Sequence, residues 1–144
     1  MSDLSDLPFV QAAVLCERVL CEVDGALSAI RITHEGIAAE GTTQLTLLLT
    51  VVRGAAPPGE RPASLEIVAP SGAVVGRRAI VFVVDDGGAE QAASLVIDLA
   101  FEASLLGVYW FRIAWGADAR LLTQVPYTTR AAGAAVAGAA HAHR

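Results

Sequence analysis

The sequence predicts an all-β protein: a single antiparallel β-sandwich of about eight or nine strands, immunoglobulin-like or C2-like. Three observations carry that expectation. Short stretches alternate in apolar character at period two. Turn residues separate those stretches at intervals of about a dozen residues, the spacing of a sandwich or barrel. No segment before residue 130 carries a helical stripe.

Phe9 to Glu17 is the first candidate strand. Asp24-Gly25 then marks a hairpin, because a type I′ turn needs positive φ at both central residues. It joins Arg18–Glu22 to Leu27–Thr33 as two short strands. From Gln44 to Val52, Leu45, Leu47, Leu49 and Val51 share one face, and Thr46, Leu48, Thr50 and Val52 the other. Threonine alternating with leucine fits a pleated strand better than a helix. Gly54 to Pro62 reads as a loop, since the adjacent Pro57 and Pro58 sit inside neither element.

Ser64 to Ala69 forms a short strand closed by Pro70-Ser71-Gly72. Ile80, Phe82 and Val84 share a face of the next, which Asp85-Asp86-Gly87-Gly88 ends. Leu95, Ile97, Leu99 and Phe101 line up in the strand that follows. Tyr109, Phe111, Ile113 and Trp115 line up in the one after, before the turn Gly116-Ala117-Asp118. Arg120 to Val125 completes the set before Pro126. Gly36 to Glu40 and Ala89 to Ala92 have room for a single helical turn each.

The organisation that follows is a flexible N-terminus over 1–7, a sandwich over 8–127 and a low-complexity tail over 128–144. The tail is rich in Ala and Gly, with Val136 its one large apolar anchor. An uncapped helix of that length is marginal in water, so the tail is expected to be flexible.

The chain has 144 residues, enough for one ordinary domain. Hydrophobic residues make up 54% and charged residues 17%, below the roughly 25% usual for soluble proteins. That apolar content offsets the entropy of ordering and excludes disorder for most of the length. A spanning helix needs about 20 apolar residues. The stretch between Gly36 and Arg53 is broken by Glu40, Gly41, Thr42, Thr43 and Gln44, so no membrane span is expected. Met1 to Asp6 carries two acids and no basic residue, unlike a secretory leader, which points to a cytoplasmic protein. The net charge of −5 and the scattered basic residues disfavour nucleic acid and anionic membranes. The two cysteines, Cys16 and Cys21, read as free, buried thiols, five residues being a poor spacing for a disulfide framework.

Few residues offer chemistry. His141 and His143 in the tail could together chelate an ion, but a metal site needs three or four ligands held in place. No acid or thiol neighbours them, and a solvated tail is the simpler reading. His34 beside Glu35 has the type of a general base, without a nucleophile or orienting acid in view. Asp85-Asp86-Gly87-Gly88 has the composition of an acidic calcium loop. Calcium takes six to eight oxygens, which would require Asp24 or Asp118 at the same end of the sandwich. There is no Gly-rich phosphate loop, no HExxH, no GxSxG and no clustered Cys/His set. The reading is therefore a non-catalytic protein that calls for no cofactor and no metal.

The second face of several strands is more informative. Opposite Tyr109, Phe111, Ile113 and Trp115 lie Val108, Trp110, Arg112 and Ala114. Val81 and Val83 oppose Ile80, Phe82 and Val84, while Leu48 and Val52 oppose the Leu45 face. A sandwich sheet has one core face and one solvent face, so the outer one should read polar. Coverage by a loop or the tail is one explanation. The other is an interface with a second copy or another protein, with partner-binding residues Trp110, Arg112, Val108, Val81 and Val83.

The stretches Ala12–Val19 and Glu22–Ile30 resemble a family of small bacterial proteins of unknown function. Those proteins open with a similar apolar strand, a Cys followed by an acid, and a turn into a "GKLSLIG"-like strand. Leu106–Ile113 and Leu121–Pro126 are similar to the family's closing hairpin, so the likeness spans most of residues 8 to 127. Ala26 stands where a Lys is common, and Arg31 where the family prefers Gly. The resemblance implies a compact bacterial β-sandwich, with no catalytic residues to carry over. Two functions follow as expectations. One is a binding or assembly module, expected to form a homo-oligomer or dock on a protein. The other is a small-molecule- or metal-binding sandwich with a strand-end site near His34, Asp85 or Asp86.

Overall fold

The computed structural model describes residues 7–88 and 90–133. Among these, nine strands and no helix are formed: β1 (Phe9–Cys21), β2 (Leu27–Ile32), β3 (Glu35–Ile37), β4 (Thr43–Val52), β5 (Gly59–Val68), β6 (Val74–Val84), β7 (Ala92–Phe101), β8 (Gly107–Trp115) and β9 (Arg120–Arg130). They make a four-stranded sheet in the order β2-β1-β4-β7 and a five-stranded sheet in the order β3-β9-β8-β5-β6. The protein is an all-β sandwich. Every pairing is antiparallel except β3 with β9, which is parallel.

Period-two alternation places the core where the sequence puts it. Leu45, Leu47, Leu49 and Val51 of β4 are buried beside Ile97 and Leu99 of β7. The five-stranded sheet supplies Leu65, Ile67, Ile80, Phe82, Tyr109, Phe111, Ile113 and Trp115 to the same cluster. Burial of each such side chain contributes about 1.5–3 kcal/mol. Phe101, at the end of β7, crosses the layer into the aromatic residues of the other sheet. Its ring centroid lies 5.2 Å from Phe111 edge-on, 5.6 Å from Tyr109 and 6.1 Å from Tyr127. Such tilted pairs align ring edges with ring faces.

Several local expectations are corrected. Phe9–Glu17 and Arg18–Glu22 are not separate: β1 is continuous through Cys21, pairing with β4 over its first half and with β2 over its second. The hairpin turn is not type I′. Gly25 has φ +87° but Asp24 does not have positive φ. Gly25 N instead donates to Glu22 O, Glu22 N donates to Ala26 O, and Asp24 Oδ1 accepts from Ala26 N. This longer connection asks only the glycine to enter the left-handed region, where a side chain is disfavoured.

Gly36 does not start a helical turn. It sits in β3, and a Cβ there would collide with Tyr127 Oη, so glycine is what lets the Tyr127 ring sit this close. Pro62 and Pro126 do not end strands either. Pro62 pairs with Val81 where β8 no longer reaches β5, and Pro126 pairs with Trp110 just before β3 begins. Each proline thus lies at a local edge, where its missing N–H breaks no ladder bond. Arg31, standing where the resembled family prefers Gly, has φ +55°. Glycine enters that region without the steric cost that a side chain meets there.

Candidate functional site

Val108, Trp110 and Arg112 project from β8 onto the outer face of the five-stranded sheet, opposite to Tyr109, Phe111 and Ile113. Register fixes their neighbours. Trp110 lies between Val68 of β5 and Pro126 of β9, and Val68 is opposite Val74 of β6. The indole is half-buried. Arg112 is exposed in a polar row that runs Arg77, Glu66, Arg112, Gln124 across four strands. Within that row Arg77 Nε lies 3.3 Å from Glu66 Oε1.

Val81 and Val83 are on the same face but beyond the polar row. They are opposite Pro62 and Glu60, past the end of β8, and are 57% and 61% exposed. Along β5, Pro62 and Val68 are separated by six residues, or roughly 20 Å at strand rise. Four of the five residues singled out from sequence therefore fall in two apolar areas, one around Trp110 and one on the edge strand β6, divided by a polar row that holds the fifth, Arg112. Leu48 and Val52 belong to the outer face of the other sheet, where they are half-buried and Val96 is exposed.

The groups considered for a strand-end site are not brought together. His34 precedes β3, where its carbonyl accepts from Thr128 N, 2.8 Å away, near the start of β8. Asp85 and Asp86 follow β6, at the end of the sandwich where β8 finishes. Asp118, in the β8–β9 turn, shares the Asp85 end but pairs with Arg120 at 3.5 Å. Asp24 lies in the β1–β2 turn, near the other end. Asp85 Oδ2 accepts from Gln91 Nε2 at 3.1 Å, which ties the β6–β7 connection to itself. Among the described residues no three His, Cys, Asp or Glu side chains could hold one metal ion. His141 and His143 lie outside the described residues.

A polar cleft that the sequence did not signal opens where β1 parts from β4. Glu17, Arg18, Gln44, Thr46 and Asp98 line it. Thr46 Oγ1 lies 3.0 Å from Asp98 Oδ1 and 3.4 Å from Glu17 O, and Glu17 pairs with Arg31 at 3.3 Å. Its carboxylates are thus occupied by neighbours. Both cysteines are free, but only Cys16 is buried; Cys21 is exposed near the hairpin turn. Burial pushes the Cys16 thiol up, against a weaker opposing backbone hydrogen bond at Arg18. Burial likewise raises the Tyr127 phenol.

Sheet order also reveals what no single strand shows: β6 and β7 are edge strands of opposite sheets. Arg78 of β6 reaches across, its Nη1 donating to the Asp98 carbonyl of β7 at 2.5 Å.

No family model and no curated protein matches the chain. Among solved structures it is similar to a Bacteroides fragilis protein assigned as a beta-galactosidase, with a TM-score of 0.51 and 12% identity. That match covers 79% of this chain and 15% of the other, so the chain spans a small part of that protein's length. It is also similar to an immunoglobulin-like protein from Pseudomonas aeruginosa, at 16% identity and a TM-score of 0.44, over 89% of this chain and all of the other. At such identities the likeness concerns architecture: what the chain shares with the longer protein is a β-sandwich.

Proposed function

We propose that this chain is a non-catalytic assembly module, joining a second copy or another protein through the outer face of its five-stranded sheet. The observation that carries the reading is the apolar character of that face on both sides of its polar row. Val68, Val108 and Trp110 lie on one side, and exposed Val81 and Val83 on the other. Solvent-facing sheet surfaces are ordinarily polar, and apolar areas rimmed by charge mark contact sites. A half-buried Trp beside an exposed Arg has the composition of an interface anchor. Two free thiols suit a reducing, cytoplasmic setting.

The test is light scattering coupled to sizing over a concentration series, with one variant in each apolar area, Trp110→Asp and Val81→Lys. Wild type should exceed the 14.9 kDa of one chain, and at least one variant should fall back to it. A wild type that stays monomeric, or association that both variants leave untouched, overturns the reading.

A further inference from the structure

We infer that two copies of this chain join edge to edge, β6 against β6 in antiparallel register about Val81, to make one continuous ten-stranded sheet. The inference rests on the assembly reading above and narrows it to one contact. It starts from the composition of β6. Between Arg78 and Asp85 the strand reads Ala-Ile-Val-Phe-Val-Val, with no charge, proline or glycine. Six-residue stretches of high β-propensity without charge are the type that pairs with other chains when left on an edge. Proteins protect such edges with lysine, proline, bulges or shortness. This one has none of those devices from Ala79 to Val84, and among the described residues no strand pairs with its second side.

The other edges are managed. β3 is three residues long. β7, beside β6, has its Asp98 carbonyl taken by Arg78, which obstructs an incoming strand at mid-length. β2 is six residues long, carries Arg31 in a left-handed conformation and ends beside it. The flanks of β1 and β9 that β2 and β3 leave open carry a bulge between Val10 and Ala12 and Pro126 respectively, so the long outermost strand that remains is β6.

Charge selects the partner and the direction. β6 has Arg77 near its beginning, and Asp85 follows its end. Antiparallel pairing of two copies about Val81 sets Arg77 opposite Asp85 of the second copy, at both ends of the joint. In the same register Ala79 faces Val83 and Val81 faces itself, so the exposed valines close over one another. All of these positions share the outer face, as Ala79, Val81 and Val83 do through their pairing with Ser64, Pro62 and Glu60. Opposed residues in an antiparallel pair share a face, so a two-fold axis normal to the sheet satisfies side chains and charges together. A parallel joint would instead place Arg77 against Arg77 and Asp85 against Asp85. The present partners of these groups, Glu66 and Gln91, are exposed contacts that are cheaply exchanged. The contact is isologous and closes at two copies.

The experiment measures the dimer dissociation constant of the full chain by sedimentation equilibrium. Val81→Lys is expected to weaken the dimer at least tenfold, and Val96→Lys, on the outer face of the other sheet, to leave it unchanged. Arg77→Asp alone and Asp85→Arg alone each set like charges opposite, and each is expected to raise the constant about tenfold. The double variant R77D/D85R should restore it, which a folding defect cannot do. A dimer that Trp110→Asp dissolves and the β6 variants spare overturns the edge joint and leaves the assembly reading standing. Failure of the double variant to recover overturns the register. A monomeric wild type overturns both readings, and β6 amides protected from exchange in that monomer would assign the edge to another part of the same chain.

Discussion

The two faces of β8 are built from almost the same kind of residue and do opposite things. Tyr109, Phe111, Ile113 and Trp115 vanish into the sandwich, while Val108, Trp110, Arg112 and Ala114 look outward. Hydrophobicity does not separate the two sets; the layer each one faces does. Inside, Phe111 meets Phe101 of the opposite sheet edge-on, and Trp115 lies 5.2 Å from Phe82. Outside, Trp110 is half-buried between Val68 and Pro126 of its own sheet, and Arg112 continues a polar row. An apolar side chain contributes to stability in proportion to the area removed from water, so half-buried Trp110 is worth less to the isolated fold than its size suggests.

The comparison breaks if the two faces respond alike to truncation. Phe111 is fully buried, and Phe111→Ala should cost about 3–5 kcal/mol, the range for an aromatic deleted from a core. Trp110→Ala should cost under about 2 kcal/mol. Urea unfolding at low chain concentration measures both, and equal losses would mean the outer face is as tightly packed as the inner.

Overfilling the inner layer is the next largest effect. Gly36→Ala sets a methyl against the Tyr127 hydroxyl, and displacement of a buried ring costs about 1–3 kcal/mol. The same unfolding measurement checks it. A neutral result would show that Tyr127 has room to move.

The smallest effect repeats the inside–outside contrast with thiols on β1. Cys21 should react with an aromatic disulfide reagent at once, and Cys16 only as the fold opens. Because burial raises the Cys16 and Tyr127 pKa values, the folded state holds those protons more tightly than the unfolded chain. Their contribution is complete below the ordinary thiol pKa and is lost as pH rises through the folded values. Stability should therefore decline above about pH 8.5. In Cys16→Ala the early part of that decline should flatten, as followed by denaturant midpoints from pH 8 to 11.

The inner face was legible from sequence because alternation at period two is a local property. Leu45 to Val51, Leu95 to Phe101 and Tyr109 to Trp115 each announce a buried stripe without reference to any other strand. What alternation cannot encode is which strands are neighbours. Val81 and Trp110 carry the same signal, yet β5 lies between their strands and the two side chains sit in separate areas. The same ignorance misplaced the ends of β5 and β9. A proline ends a strand flanked on both sides but is tolerated where one flank is open, and only sheet order shows that Pro62 and Pro126 have an open flank. Arg31 was visible as a departure from a family preference, but its left-handed backbone emerged only once Leu15, bonded to Thr33 N, fixed the path of β2.

The parallel pairing of β3 with β9 has a consequence for how the chain reaches this state. Glu35 is aligned with Thr128, about 90 residues later, so this contact closes nearly the whole domain into a loop. Closing a loop of that length carries an entropy penalty of about 4 kcal/mol beyond a constant, against three residues of ladder. β3 has its ladder partner only in β9, whereas β1, β2 and β4 before and after it pair with one another. Non-local pairings of this kind put the fold among slow folders. During synthesis the segment around Gly36 therefore stays without its partner until translation has passed Arg130.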